Sequence, residues 1–298
     1  MEDRKIGPAT VLFGERRGKY PDGNPLLVEG REESLIIDPS LAMIPRRDRL
    51  PSVDRVLNSH CHEDHIAGNY LFPDLPWHFH ELDLPGIRSL DGLMGVYGLP
   101  KEIEKEFRLL VQEKFHFMPK EDALSFRDGD VFDLGSKTVT VVHTPGHTRG
   151  HCCFLIEGAG DEGAMLYLGD IDLTSFGPYY GDIWSSLEDF ERSIALVREI
   201  KVEWYATFHH IGVLKRVEFL ERLERFAAVI EKREQRLLEY IKVPRTIENI
   251  VQHRFVYRPG DQVLFADPVE RFSMTDHLIR LQSQKRVREV EQETWVAV

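Results

Sequence analysis

The chain has 298 residues, about twice the length of a usual single domain, so one large domain or two smaller ones are both possible. Hydrophobic residues make up 42% and charged residues 30% of the sequence, a composition that excludes wholesale disorder. The sequence has 38 Lys and Arg residues against 50 Asp and Glu residues, for a formal net charge of −12. This charge excludes a general binder of polyanions, because nucleic-acid phosphates are bound mainly by Lys and Arg.

Neither the cysteines nor the apolar residues indicate a secreted or membrane-bound protein. The three cysteines are Cys61, Cys152 and Cys153, too few for a disulfide framework, and the last two are neighbours with poor geometry for pairing. The N-terminal segment has no apolar stretch like that of a signal peptide, and no run approaches 18 apolar residues. We therefore expect a cytoplasmic protein with no membrane association.

The first two thirds of the chain are predicted to form short strands joined by loops, with two helical stretches. The strands are brief apolar or β-branched runs bounded by Gly, Pro and Asp. They cover residues 10–13, 25–28, 34–37, 53–57, 131–134, 137–142, 152–156, 164–168 and 204–208. Residues 82–116 and 186–200 are predicted to be mostly helical.

The composition changes at residue 214. From Phe219 to Leu238, apolar residues recur every three to four positions among charged ones, which predicts one long amphipathic helix that Pro244 stops. Thr246 can cap a second helix, and a third helix and a short hairpin follow. Because the net charge is −14 before residue 214 and +2 after it, we predict domains over 1–213 and 214–298.

Potential metal ligands cluster directly after the predicted strand 53–57, in His60-Cys61-His62-Glu63-Asp64-His65. His60 and His62, two positions apart, can turn to the same side and bind one cation, and Asp64 and His65 can reach a second position. The alternative is a solvated polar loop, which is disfavoured because ligands this close would repel one another when protonated.

Further candidates follow three later strands. His147 lies in a Pro-Gly turn after strand 137–142, Asp170 follows strand 164–168, and His209 and His210 follow strand 204–208. Each histidine alone is a weak signal, because a single histidine is more often a hydrogen-bonded structural residue. Their shared position at strand ends predicts one common site.

HCHEDH resembles the HxHxDH signature of the metallo-β-lactamase superfamily, and TPGHT, GD and the late histidine resemble its remaining motifs, in order over residues 8–213. The resemblance implies an α+β fold, a four-layer αββα sandwich with the metals at one edge. It implies a first metal held by three histidines, a second held by an aspartate and two histidines, and one bridging aspartate. These residues are His60, His62 and His147; Asp64, His65 and His210; and Asp170.

The last ligand is ambiguous between two neighbouring histidines. Related hydrolases usually carry Gly-His at this motif, whereas this chain has His209-His210. Matching the strand ends places His209 at the glycine position and His210 at the ligand position. We therefore expect His210 to be the ligand, with His209 close by or facing the substrate.

Residues 215–298 resemble the helical, winged-helix-like extension of the β-lactamase-like protein 2 group, and glyoxalase II also pairs HxHxDH with a helical C-terminal domain. The resemblance favours a C-terminal part that caps the sandwich and narrows the entrance of the active site. The alternative is nucleic-acid binding, for which a net charge of +2 is weak support. Residues 174–181 either line the substrate pocket or form a packed loop.

The ligand set predicts a hydrolase with two divalent cations, zinc being expected and Fe or Mn also compatible. Two such cations can share a water and lower its pKa, so that a metal-bridging hydroxide attacks an ester, thioester or lactone of a small molecule. Asp64 is the expected catalytic residue, which orients the nucleophile or shuttles its proton. A phosphodiesterase or ribonuclease, and an oxidoreductase like the mononuclear-iron persulfide dioxygenases, are the alternatives; the oligomeric state stays open.

Overall fold

The structure is a computed structural model that describes residues 3–261 and 263–298, and its first layer of strands is a seven-stranded sheet. The strands lie in sequence order, antiparallel from β1 to β4 and parallel from β4 to β7. They are β1 (Arg4–Ile6), β2 (Ala9–Val11), β3 (Leu26–Glu29), β4 (Ser34–Ile37), β5 (Arg55–Leu57), β6 (Trp77–His80) and β7 (Leu124–Phe126).

The second sheet has six strands in the order β13-β12-β11-β10-β9-β8. Only β11 and β12 are parallel neighbours. The strands are β8 (Val131–Asp133), β9 (Lys137–His143), β10 (Cys152–Gly158), β11 (Ala164–Tyr167), β12 (Trp204–Ala206) and β13 (Val213–Lys215).

Helices cover the outer face of each sheet. Helices α1 (Leu84–Arg88), α2 (Leu90–Tyr97) and α3 (Lys101–Glu113) pack on the first sheet, and α4 (Leu187–Glu199) and α5 (Arg216–Tyr240) pack on the second. Successive strand residues face opposite sides of a sheet, so Ile36 packs under the helices whereas Leu35 and Ile37 pack between the sheets. The expected α+β, four-layer αββα sandwich is confirmed.

The C-terminal unit has the order helix-strand-helix-helix-strand-strand, as expected of a winged-helix-like extension. After α5 come β14 (Arg245–Thr246), α6 (Ile247–His253), α7 (Ala266–Ser283), β15 (Val287–Glu291) and β16 (Thr294–Ala297), with the sheet order β14-β16-β15. Thr246 caps α6, its side chain accepting from the backbone N–H of Asn249. This agrees with the predicted cap and the predicted terminal hairpin.

Helix α5 belongs to two hydrophobic cores. Phe219 and Leu223, near its start, pack against the second sheet, whereas Leu237, near its end, packs in the C-terminal core. Strand β13, on the other side of the predicted boundary, is an edge strand of the second sheet. The division at residues 213 and 214 stays a prediction, and the long helix joins the two parts.

Helix α7 is docked on the sandwich. His277 Nε2 lies 2.9 Å from the Tyr180 hydroxyl, Ser273 Oγ donates to the Tyr180 carbonyl at 3.2 Å, and Arg280 pairs with Glu191 at 2.5 Å. In helix-turn-helix modules the second helix enters the major groove of DNA. One face of α7, the second helix of the pair α6 and α7, is instead docked against the chain's own residues.

Among the described residues, no helix combines the length and apolar character that crossing a lipid bilayer requires.

Glu270 holds the segment between α6 and α7. Its side chain is fully buried and accepts hydrogen bonds from the backbone N–H groups of Phe255, Val256 and Tyr257 at 2.9, 2.9 and 2.8 Å. The substitution Glu270→Ala leaves one buried and two partly buried donors without this acceptor, so we expect the free energy of unfolding to fall by about 3 kcal/mol in urea denaturation. Glu221→Ala, which removes an exposed partner of Arg225, should cost less than about 1 kcal/mol; equal losses in the two variants would contradict this role of Glu270.

Candidate metal centre

Strand direction brings the predicted motifs to one edge of the sandwich. Strands β9, β11 and β12 all run the same way, since β10 is antiparallel to both β9 and β11, and β12 is parallel to β11. Their carboxyl ends therefore share an edge, where they meet the loop that follows β5. Gly146 shapes one of these ends: its φ is +129°, and a Cβ there would lie 2.3 Å from the Phe190 backbone nitrogen, so only glycine fits the turn that presents His147.

Three histidines form the first group of donors. His147 Nε2 lies 3.2 Å from His60 Nε2 and 2.9 Å from His62 Nδ1. All three side chains are buried. The structure brings together the three residues that the motif assigns to a first metal.

A second group is built from Asp64, His65 and His209. His209 Nε2 lies 3.0 Å from Asp64 Oδ2, and the three ligand atoms lie within 4.8 Å of one another. Asp170 lies between the groups, with Oδ1 2.8 Å from His65 Nε2 and Oδ2 3.1 Å from His147 Nε2. Each oxygen of Asp170 thus contacts a histidine of a different group, the position expected of a bridging ligand.

Of the two neighbouring histidines, the structure brings His209 to the donor cluster and leaves His210, the expected ligand, outside it. His209 is buried and its Nδ1 lies 2.8 Å from the Gly18 carbonyl, which turns Nε2 towards Asp64. His210 has a φ of +57°, so the chain reverses there and its side chain lies at the cavity wall. The expectation of His210 came from matching strand ends, which does not account for this reversal.

Several side chains orient the donor imidazoles, as is usual around metal ligands. Asp38 Oδ2 lies 2.8 Å from His65 Nδ1 and also accepts from the Tyr167 hydroxyl at 2.8 Å. His151 Nε2 accepts from the backbone N–H of Asp170 at 3.0 Å. His151 therefore helps to hold Asp170 in position.

Two acidic residues near the cluster are absent from the sequence predictions. Asp38 directly follows β4, the parallel neighbour of β5, so the strand-end rule that found Asp170 would have found it. Asp182 lies 3.0 Å from His62, yet it sits in an irregular segment with no motif around it. Only the tertiary structure reveals Asp182.

The donors are imidazoles and carboxylates packed closely together, and this packing sets their pKa values. Burial, with the nearby imidazoles of His65 and His147, holds the pKa of His60 well below its usual value. For His62 and His209 burial also lowers the pKa, but neighbouring carboxylates outweigh it and raise both to about 9. Imidazole and carboxylate donors at this density are the ligands that Zn²⁺ takes in proteins, so the residues present fit the metals that the motif implies.

A cavity of about 310 Å³ opens above the donors. Its walls are mostly aromatic and aliphatic, and they come from both parts of the chain: Tyr20, Tyr97, Leu99, Phe107, Phe176, Tyr179, Tyr257, Val263 and Phe265. Thr174, Phe176 and Tyr179 belong to the segment 174–181, which therefore lines the cavity, the first of its two expected roles. Tyr257, Val263 and Phe265 belong to the C-terminal unit, which agrees with the expected cap.

The two neighbouring histidines can be told apart by metal content. His209→Asn removes a donor of the second group and is expected to lower bound zinc towards one ion per chain. His210→Asn is the matched control, because asparagine tolerates the left-handed backbone at this position, and it should keep the zinc content of the parent. Elemental analysis after dialysis measures both; loss of zinc in the His210 variant alone would restore the original assignment.

Proton release gives a second test of the site. In the metal-free chain the pKa values of His62 and His209 are raised to about 9 and that of His65 is raised well above its usual value, so these imidazoles are protonated at pH 7. A metal ligand must be neutral imidazole, so loading should release about two to three protons per chain at pH 7 and fewer as the pH rises past 9. Calorimetric titration with zinc in buffers of different ionisation enthalpy counts them; no release at pH 7 would contradict this protonation.

Comparison of the sequence with known proteins agrees with this geometry. The chain is 27% identical over 229 residues to the human acyl-coenzyme A thioesterase MBLAC2, covering 67% of this chain and 77% of that protein. It is 28% identical over 188 residues to a hydroxyacylglutathione hydrolase of Methylococcus capsulatus, covering 63% of this chain and 57% of that enzyme. Both of these relatives are hydrolases.

The fold and the family agree as well. The crystal structure of the metallo-beta-lactamase family protein TTHA1429 from Thermus thermophilus superposes with a TM-score of 0.71 at 21% identity, over 98% of this chain and 99% of that one, which shows a common fold. The family model of the metallo-beta-lactamase superfamily matches residues 21–209, well over half of the sequence. The chain belongs to the metallo-beta-lactamase superfamily.

Proposed function

We propose that this protein is a dinuclear metal-dependent hydrolase that cleaves an ester, thioester or lactone of a small molecule with an apolar acyl group. The observation that carries this proposal is the convergence of seven donor side chains at the base of an aromatic-walled cavity, with five of them lining its floor. The donors are His60, His62, Asp64, His65, His147, Asp170 and His209.

The donors divide into two sets. His60, His62 and His147 would hold the first ion, and Asp64, His65 and His209 the second, with Asp170 between them. Zinc is the proposed ion, and the same donors accept Fe or Mn. Two divalent cations held there would lower the pKa of a water and stabilise the negative charge that develops on a carbonyl oxygen.

Asp64 is the proposed catalytic residue. Burial raises its pKa, but His65 and His209 outweigh burial and lower it, so Asp64 is a carboxylate at neutral pH. A carboxylate at the cavity floor can accept the proton of a nucleophilic water and orient that water towards the carbonyl carbon.

The cavity lining favours an uncharged acyl group. Five of its described lining residues are Asp or Glu, and none of those described is Lys or Arg. A phosphodiester backbone is held mainly by Lys and Arg, so this lining disfavours the phosphodiesterase and ribonuclease alternatives. The donors of the second group, which a single-iron dioxygenase does not require, favour a hydrolase over the oxidoreductase.

The relatives favour a thioester among the three acyl substrates. MBLAC2 is named an acyl-coenzyme A thioesterase, and the Methylococcus enzyme a hydroxyacylglutathione hydrolase. Both names describe cleavage of a bond between an acyl carbon and sulfur. The thioester leads the proposal on this ground, with the aromatic walls as the site for the acyl chain.

The test is a substrate panel with zinc-loaded protein: neutral acyl thioesters and p-nitrophenyl esters of increasing chain length, lactones, a phosphodiester and a persulfide with oxygen uptake. We expect thioester cleavage to exceed phosphodiester cleavage. Asp64→Asn should lower kcat by about 10²–10⁴-fold, the usual contribution of a general base. Glu221→Gln, which makes the same change from acid to amide at an exposed position of α5 outside the cavity lining, is the matched control and should stay close to the parent.

Zinc-replete protein that cleaves none of the thioesters, esters and lactones would overturn the proposal. Oxygen uptake on the persulfide by protein with one iron per chain would favour the oxidoreductase instead.

A further inference from the structure

One loop contacts two of the three histidines in the first donor group. We name residues 174–182 the support loop. The Tyr179 carbonyl lies 3.0 Å from His147 Nδ1, and Asp182 Oδ2 lies 3.0 Å from His62 Nε2. In each ring this is the nitrogen opposite to the one that faces the other donors, since His147 Nε2 and His62 Nδ1 are 2.9 Å apart within the group. The loop therefore helps to orient both rings, and it leaves the nitrogen of each ring that faces the other donors free to bind a metal.

Asp182 is held in place to meet His62. It is 4% exposed, and its other oxygen accepts from the Tyr179 hydroxyl at 3.1 Å. The contact with His62 is a close ion pair rather than a straight hydrogen bond, and neither atom has a hydrogen-bond partner among the described residues. An unpaired polar group is costly when it is buried. The His62 ring and the Asp182 carboxylate therefore compensate each other's charge in this buried site.

The support loop is anchored by Arg233, which belongs to helix α5. Its Nη1 donates to the Pro178 carbonyl at 2.6 Å and to the Tyr180 hydroxyl at 2.9 Å, and its Nη2 donates to the Phe176 carbonyl at 2.8 Å. Arg233 is 2% exposed. A buried guanidinium fixed to two backbone carbonyls is a rigid connection, because its donors are planar and preorganised.

The loop also lies close against the same helix. Gly177 has a φ of +82°, and a Cβ there would lie 2.5 Å from the Val229 side chain. Val229 and Arg233 are one helical turn apart on α5. The helix therefore contacts the loop through packing at Gly177 and through hydrogen bonds at Arg233.

We propose that Asp182 and the Tyr179 carbonyl are the positioning groups of the first metal, and that Arg233 makes the affinity for this metal depend on helix α5. This inference rests on the metal centre of the proposed function. Arg233 touches neither a donor nor the cavity, so it is a positioning residue that acts through the loop. The contacts run from Arg233 to the loop backbone, and from Tyr179 and Asp182 to His147 and His62.

The test compares two arginines of one helix that make the same kinds of bonds. Arg216 donates to the Ile200 and Arg198 carbonyls at 2.8 and 3.0 Å and to the Tyr205 hydroxyl at 2.6 Å, away from the donors. Chelator competition with Zn²⁺ should show that Arg233→Met weakens the binding of one of two ions by about 10-fold and Asp182→Ala by about 10- to 100-fold, the usual range for groups behind a ligand. Arg216→Met should stay within about 2-fold of the parent, and Asp182→Asn, which keeps an acceptor oxygen, should recover part of the loss.

A spectroscopic readout separates positioning from a general loss of structure. In the Co²⁺-loaded protein, we expect the exchangeable ring N–H protons of His62 and His147 to give shifted NMR signals. Asp182→Ala should broaden or move the His62 signal, and Arg233→Met should affect both, while His60 keeps its own. Arg233→Lys, which keeps the charge, provides the same comparison if the methionine variant fails to fold.

The inference and the proposed function can fail separately, because metal affinity needs no substrate. Unchanged affinity and unchanged signals in the Asp182 and Arg233 variants would overturn the inference even if the parent hydrolyses thioesters. Weakened binding in these variants would uphold it even if no substrate of the panel is cleaved. A parent chain that binds no divalent ion would overturn both.

Discussion

Burial of ionisable groups at one edge of the sandwich is the constraint on which the rest of the structure depends. The donor histidines and Asp64 are at most 5% exposed, and buried charges are costly unless each is paired. The fold meets this cost by surrounding the donors with fixed partners, such as Asp38 behind His65 and the Gly18 carbonyl behind His209. A cluster that is this densely paired has its donor atoms oriented before any ion arrives, which is the condition for tight and selective metal binding.

The C-terminal unit forms part of the cavity above the donors. Tyr257, Val263 and Phe265 supply one wall of the cavity, and α7 is joined to the sandwich through Tyr180. The C-terminal unit is nearly neutral, whereas the rest of the chain is acidic. A nearly neutral charge suits a helical unit whose polar face is partly buried against its own chain. The docked face of α7 is not available to a nucleic acid, and the acidic surplus lies in the part of the chain that carries the donor cluster.

The strands and helices predicted best are those whose pattern of apolar residues is not interrupted by functional side chains. The helix predicted over 186–200 is α4 (Leu187–Glu199), and the strand predicted over 137–142 is most of β9 (Lys137–His143). Strand β6 was not predicted, although its sequence Trp-His-Phe-His alternates apolar and polar residues as a strand does; all four residues are buried. Strand β1 was missed because its residues are exposed or half-buried and charged, so the reason it pairs lies in its neighbour β2.

By itself, the sequence predicted the superfamily, the layers of the fold and six of the seven side chains that the structure brings together, because these follow from motif spacing and from the placement of polar residues at strand ends. Only the tertiary structure decided that His209 rather than His210 joins the cluster, since the left-handed turn at His210 directs successive side chains apart. The tertiary structure alone also placed Asp182 and Arg233 behind the first donor group. Those residues lie 120 or more positions beyond His62 in the chain, and contacts between such distant residues depend on how layers pack, which no local pattern encodes.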